Sequence, residues 1–436
     1  MKKVILGTLL FAVFSLLYFC NSIEPPTGLT IELKLEDVSC TEAWINLTSN
    51  IKLPAVIELK QNNQTVRTIN LVNPDSLLYL DSLLPNTSYT FQVTNNEYRI
   101  TSNQLKLTTL DTTSHSFTWQ TFEFGDNGIS SEINDAFIFN ENKIYAVGMI
   151  YLNDSTGKID GKPYGITKWD GNNWTISRIE AQWFTGVTIY LAPTSILVFD
   201  ENNLWYTAGG VHKWDGVELT SYWLNNFTGN PNPIFEEDQW LVNIWGRIES
   251  NIYISGLKGA CARFDGENWS KIESNTSGDL LDIYGIKNIK INTYEIYCPV
   301  YYQNDPNNGE YIKITENNTL ETADNNLARM SSIWGLKNNK IYGSGLSIYV
   351  NSTTGWREEG LNNLYSKIKI RGSSLNNIFV VGGLGFVGHF NGTTWQDYPE
   401  LRLQAGNYSR VIVMENLVVI CGDNYGKGIL VIGKRS

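Results

Sequence analysis

The heptapeptide Lys168-Trp169-Asp170-Gly171-Asn172-Asn173-Trp174 constrains the chain more than any other stretch, because altered copies of it return downstream. Phe264-Asp265-Gly266-Glu267-Asn268-Trp269 and Phe390-Asn391-Gly392-Thr393-Thr394-Trp395 keep the aromatic pair, and Trp214-Asp215-Gly216-Val217-Glu218-Leu219 ends in leucine. Asp-Gly or Asn-Gly between two short apolar runs is a strong hairpin signal, since these residues accept positive φ. A two-residue loop predicts Trp169 opposite Asn172 and Thr167 opposite Trp174. The two indoles would then share a sheet face along a diagonal that large rings can span. A longer turn would move the register by one residue and lose that shared face.

Each hairpin closes a longer unit: an inner strand, a turn, a second strand ending in glycine, and then the aromatic hairpin. Inner strands are expected at Asp135-Ala136-Phe137, Ile196-Leu197-Val198, Asn243-Ile244-Trp245-Gly246, Asp282-Ile283-Tyr284-Gly285, Ser332-Ile333-Trp334-Gly335, Lys369-Ile370-Arg371-Gly372 and Arg410-Val411-Ile412. They recur roughly every 40 residues, the period of a four-stranded propeller blade. The fourth copy departs, with Tyr301-Tyr302-Gln303-Asn304-Asp305-Pro306 where the hairpin is expected. The last copy, Tyr408 to Lys434, holds chain for only three strands, and Phe117 to Phe124 reads as a spare outer strand; pairing the two would close a ring and hide an edge. These repeats resemble bacterial extracytoplasmic β-propellers built on an Ile-Trp-Gly start and an Asp-Gly-x-x-Trp hairpin. The resemblance implies a seven-bladed β-propeller over 117–436, in a family defined by architecture more than by activity.

Composition agrees with an all-β chain. Among 436 residues there are 37 Gly, 14 Trp and 23 Tyr but only 4 Met, and no helical period persists long enough for a helix. The net charge of −11, without any basic block, disfavours nucleic acid and anionic membrane surfaces and leaves neutral or cationic partners.

The N-terminus reads as an export signal over 1–19: Met1-Lys2-Lys3, then an apolar run from Val4 to Leu17 that is too short for an ordinary spanning helix. Leu17-Tyr18-Phe19-Cys20 resembles a bacterial lipoprotein cleavage box, with Phe19 in place of the usual small residue; the resemblance implies lipidation at Cys20, a bacterial envelope location as an outer-membrane lipoprotein, and membrane contact through that anchor only. A tether over 20–27 leads to 28–113, where alternating runs such as Trp44-Ile45-Asn46-Leu47-Thr48 read as a small β-sandwich. Leu83-Leu84-Pro85-Asn86-Thr87-Ser88-Tyr89-Thr90-Phe91 resembles the tyrosine corner of fibronectin type III domains, as do Pro25-Pro26 and Leu107-Thr108-Thr109-Leu110 at the edges. Leu47 departs from that family, standing near where it often has a core Trp. No recognised ligand sequence is present, so a spacer is expected.

Site chemistry is sparse. Sialidase repeats also pair Asp with an aromatic, but their box puts one residue between Asp and Gly; the arginines such an enzyme needs would come from Arg178, Arg247, Arg263, Arg329, Arg371 and Arg410. His115, His212 and His389 share no metal-ligand spacing, and Asn153 to Gly161 reads as a polar hairpin turn ahead of a calcium loop. Cys40, Cys261, Cys298 and Cys421 read as buried thiols, with one bridge between blades open. No cofactor motif occurs. What remains is a binding surface at the channel mouth: Trp245, Tyr284, Trp334 and Arg371 occupy one slot in four successive copies and could stack on a sugar or peptide, although a repeated position also suits packing between blades. The expected role is a binding or interaction module for a protein or carbohydrate ligand, more a binder than an enzyme. The alternatives are a glycan- or polysaccharide-acting enzyme and a structural part of an envelope complex.

Overall fold

The computed structural model describes residues 28–436 apart from 184–185, 227–229, 231, 306–307, 316–319, 325–327, 353–354 and 362–363. The export signal, Cys20 and the tether lie outside the described residues. The chain forms two compact units, one of residues 28–38 with 42–109 and the other of 39–41 with 110–436.

In the first unit, Ile31–Val38, Ala43–Ser49 and Asp75–Leu80 make a three-stranded sheet, and Ala55–Gln61, Gln64–Leu71, Ser88–Asn95, Ile100–Thr101 and Leu105–Thr108 a five-stranded one. Alternation places every second residue inward: Tyr89, Phe91 and Val93 from one sheet meet Ile45 and Leu47 from the other in a shared apolar core. The Leu84 backbone N–H donates to the Tyr89 hydroxyl at 2.9 Å. The buried tryptophan of the strand is Trp44, fully enclosed with its ring 5.7 Å from that of Tyr79, while Leu47 fills a core position.

Among the described residues of the second unit, seven antiparallel four-stranded sheets follow one another in chain order. Their inner strands begin with Glu132–Asn140, Ser195–Asp200, Leu241–Ile248, Tyr284–Lys287, Met330–Trp334, Lys367–Ser374 and Asn407–Val413. Each inner strand neighbours the next, and the seventh neighbours the first. In the seventh sheet the fourth strand is Phe117–Phe124, paired from Arg435↔Phe117 to Gly428↔Phe124, so the expected pairing of the two chain ends occurs. The described residues contain only two short 3-10 turns, Leu257–Gly259 and Pro399–Leu401.

The aromatic hairpins differ from expectation in their turn. Trp169 pairs directly with Trp174, Phe264 with Trp269, Phe390 with Trp395 and Trp214 with Leu219, so the loops hold four residues. The reason is the first loop side chain: Asp170 Oδ1 accepts the backbone N–H of both Asn172 and Asn173 at 2.8 and 2.7 Å, and Asp265 and Asn391 repeat the arrangement. An Asx turn of this kind competes successfully with the tighter two-residue turn. The aromatic pair still shares one face because direct cross-strand partners do; the Trp169 and Trp174 centroids are 5.3 Å apart. In the fourth sheet, Tyr301 to Asp305 belong to the connection between Tyr294–Pro299 and Glu310–Ile314. The outer hairpin comes later, between Glu310–Ile314 and Leu320–Asp324.

The histidines and cysteines sit inside this frame. Cys40, Cys261, Cys298 and Cys421 are buried free thiols, and burial pushes the Cys261 thiol up to about 12. His212 is fully buried, its Nε2 3.3 Å from the Ala208 carbonyl and its Nδ1 2.9 Å from the Ser221 hydroxyl. His115 and His389, far apart in sequence, meet with their Nδ1 atoms 2.8 Å apart beside Phe117, a juxtaposition no local spacing announces. Burial pushes His212 down to about 4, and burial likewise lowers His115, with Arg435 adding to it, and His389, with His115 and Arg435 adding to it. A histidine lowered in the folded state is protonated first in the unfolded state, so stability is complete above about pH 6.5 and falls as pH drops toward the folded value. For His212 the loss expected between pH 6.5 and 4 is about 3 kcal/mol. Urea midpoints measured over that range should fall less steeply for His212→Gln than for the unaltered chain; parallel slopes would exclude this origin.

Candidate functional site

The inner strands converge on a cavity of about 300 Å³ whose wall takes residues from six of the seven sheets. Two side-chain tiers matter. The first is the aromatic slot singled out by the sequence: Trp245, Tyr284 and Arg371 reach the cavity, joined by Phe137, Leu197 and Ile412 at the equivalent positions of other sheets. Trp334 does not. It is fully buried, with its ring against Gly372 of the next sheet, where an added Cβ would lie 2.7 Å from the indole. Trp245 treats Gly285 the same way, at 2.1 Å. Gly285 and Gly372, which follow Tyr284 and Arg371, therefore serve close approach: each makes room for the tryptophan of the preceding sheet.

The second tier lies two residues earlier in each inner segment and is polar throughout: Asp135, Ser195, Asn243, Asp282, Ser332, Lys369 and Arg410 in sheets one to seven. Both aspartates use one device. Asp135 Oδ2 accepts the Ser195 hydroxyl at 2.6 Å and the Ile196 N–H at 3.2 Å in the next sheet; Asp282 Oδ2 accepts the Ser332 hydroxyl at 2.5 Å and the Ile333 N–H at 3.3 Å. Asp282 also gathers cations from the sixth sheet. Lys369 Nζ is 2.5 Å from Oδ1, and the Arg371 guanidinium straddles the carboxylate at 2.6 and 3.1 Å. Arg371 additionally donates to Ser332 Oγ and to the Ile333 and Ile370 carbonyls, and stacks 4.7 Å from the Tyr284 ring. Where Trp245 and Trp334 press forward into the next sheet, Arg371 bonds back to the two preceding ones. Arg410 Nη2 bonds Asn243 Oδ1 at 2.7 Å and makes no carboxylate ion pair among the described residues.

The electrostatics follow from burial. Asp282 is about 1% exposed and the Lys369 side chain 4%. Burial alone would raise the Asp282 carboxyl, but Arg371 and Lys369 outweigh it and hold it well below the usual carboxylate range. Burial and the neighbouring Arg410 push Lys369 down to about 7 against the pull of Asp282. A general acid for hydrolysis needs a carboxyl that keeps its proton near neutrality; Asp282 is driven the other way. Of the six arginines, only Arg371 and Arg410 line the cavity, while Arg178 pairs with Asp160 and Arg247 and Arg329 lie over Tyr294 and Tyr301. Among the described residues no group of three or more His, Cys, Asp or Glu side chains is placed to hold a metal ion. Asp154 Oδ1 instead accepts the Thr156 and Lys158 N–H groups in a polar turn.

No protein-family model matches the chain, and no curated protein matches it in sequence. Solved structures do. YCF48 bound to a D1 peptide aligns with a TM-score of 0.52 at 14% identity, over 73% of this chain and 97% of that one. The second unit is a β-propeller. YCF48 from Cyanidioschyzon merolae aligns with a TM-score of 0.49 at 10% identity, over 73% and 98% of the two chains. At such identities the likeness concerns the propeller fold alone. The polar tier of the propeller was missed in the sequence because its members differ in type; only their constant offset from the aromatic slot marks them.

Proposed function

We propose that this is a binding protein whose seven-bladed propeller engages a peptide or glycan in the central cavity, preceded in the chain by a fibronectin type III-like spacer. The observation that carries the reading is the composition of the cavity wall. Apolar and aromatic surface from Phe137, Ile244 and Trp245 stands beside a few convergent charged groups, the usual make-up of a ligand site. The carboxylates there are saturated by protein donors and suit holding the sheets together, which favours recognition over hydrolysis. The YCF48 structure bound to a D1 peptide is an instance of a peptide complex on this kind of scaffold. Export, lipidation at Cys20 and an outer-membrane location complete the proposal on the strength of the N-terminal sequence; mass spectrometry of the native protein would find acyl chains on Cys20 or refute the anchor.

The binding reading is tested by probing peptide and glycan arrays with the full chain and with Phe137→Ala, a cavity-wall change. Selective binding to a subset of spots, lost in the variant while its unfolding midpoint holds, is the expected result. Binding that is equal in both proteins would move the site elsewhere on the surface.

A further inference from the structure

The cavity wall carries three cations, Lys369, Arg371 and Arg410, against two carboxylates, Asp135 and Asp282. The carboxylates are fully used. Asp282 accepts from Lys369, Arg371, Ser332 and the Ile333 N–H, and Asp135 accepts from Ser195 and the Ile196 and Ala136 N–H groups. Lys369 and Arg410 are not. The Lys369 ammonium has three donors and, among the described residues, the single partner Asp282 Oδ1. Arg410 has five donors, of which one meets Asn243 and another its neighbour's carbonyl. These two side chains occupy the same tier in adjacent sheets, and both residues line one cavity. Its local sign is opposite to that of the whole chain, whose net charge is −11.

The same wall also carries apolar residues, Phe137, Ile244 and Ile412. A bare inorganic anion would leave that surface against water, whereas an anionic group on an apolar body would use both halves. We propose that the cavity binds an organic carboxylate, its charge held by Lys369 and Arg410 and its apolar body by Phe137, Ile244 and Ile412. This rests on reading the cavity as the ligand site and adds the chemical class of the ligand. One protonic consequence follows. With Lys369 lowered to about 7, an arriving anion favours its protonated form, so affinity should weaken as pH rises through 7.

The test is isothermal titration of the full chain with N-acetylleucine, its amide N-acetylleucinamide, acetate and inorganic phosphate. The expected result is saturable binding of the acid, about tenfold or more tighter than of the amide, and tighter than of acetate or phosphate. Arg410→Gln should lose that preference, and Lys369→Met should lose the weakening between pH 6 and 8.5. Equal binding of acid and amide would overturn the charge assignment while leaving the cavity a binding site. Phosphate binding as tightly as the acid would overturn the organic class, and acetate binding as tightly would overturn the part given to the apolar body. No binding by any of the four would overturn the proposal outright, and array ligands that still bind Arg410→Gln would show the cavity reading surviving that failure. The acid and amide comparison uses the unaltered protein, so it decides the matter even if a variant fails to fold.

Discussion

Replacing Asp282 with Asn is expected to cost about 3–5 kcal/mol of folding stability, a large part of what a domain has. The carboxylate is the one acid that Lys369 and Arg371 share, and it is buried with both. Removing the charge leaves two cations in a poorly solvated site, and an amide cannot accept from Lys369, Arg371, Ser332 and the Ile333 N–H together. The loss should show as a lower denaturant midpoint at unchanged m-value. Adding Lys369→Met to Asp282→Asn should return part of it, because one of the stranded charges is then gone; a double variant as unstable as the sum of its parts would count against this account. The pH dependence has a definite sign. Lys369 is lowered to about 7 from the ordinary lysine value, so the folded protein releases that proton before the unfolded chain does, and stability from this group rises from about pH 7 upward. Asp282 acts at the other end: its contribution is whole above the ordinary carboxylate range and is lost as pH falls through its lowered folded value. The alkaline rise should vanish in Lys369→Met.

These contacts explain how far the sequence could be read. The repeated hairpin was visible because its residues are chemically fixed: a turn of this kind needs a side-chain acceptor at Asp170, Asp265 and Asn391 and a permissive glycine after it. Turn length was misjudged because Asp-Gly serves both a two-residue turn and the longer Asx turn, and only the competition between backbone and side-chain bonds separates them. The pairing of Phe117–Phe124 with Lys427–Arg435 was legible from strand counting. The site was less so. Sequence placed Trp334 and Trp245 in one class, yet one is sealed between sheets and the other reaches the cavity; burial at equivalent repeat positions depends on the neighbouring sheet, which a repeat pattern does not contain. The contact between His115 and His389 shows the same limit, since ring closure joins residues that no local spacing relates.

Trp334→Ala is expected to be as damaging as the loss of Asp282, at about 3–5 kcal/mol. The ring is fully buried and fills the space that Gly372 leaves in the adjoining sheet, so truncation opens a cavity at a joint between sheets. The complementary change, Gly372→Ala, would push a methyl group to 2.7 Å from the same ring, an overpacking that typically costs about 1–3 kcal/mol. If knob and hole are one unit, the two changes cannot be independent. Trp334→Leu with Gly372→Ala should lose less stability than the separate losses together, with a coupling of about 0.5–3 kcal/mol, because the added methyl occupies part of the space the indole leaves. The pair Trp245 and Gly285 offers a second instance between the third and fourth sheets. Coupling in both pairs, and none between Trp334→Leu and Gly285→Ala, would establish that these two tryptophan–glycine contacts hold the joints between their sheets, with Gly285 and Gly372 each read by the preceding sheet. Strict additivity within the pairs would return the glycines to a purely local role in their own strands.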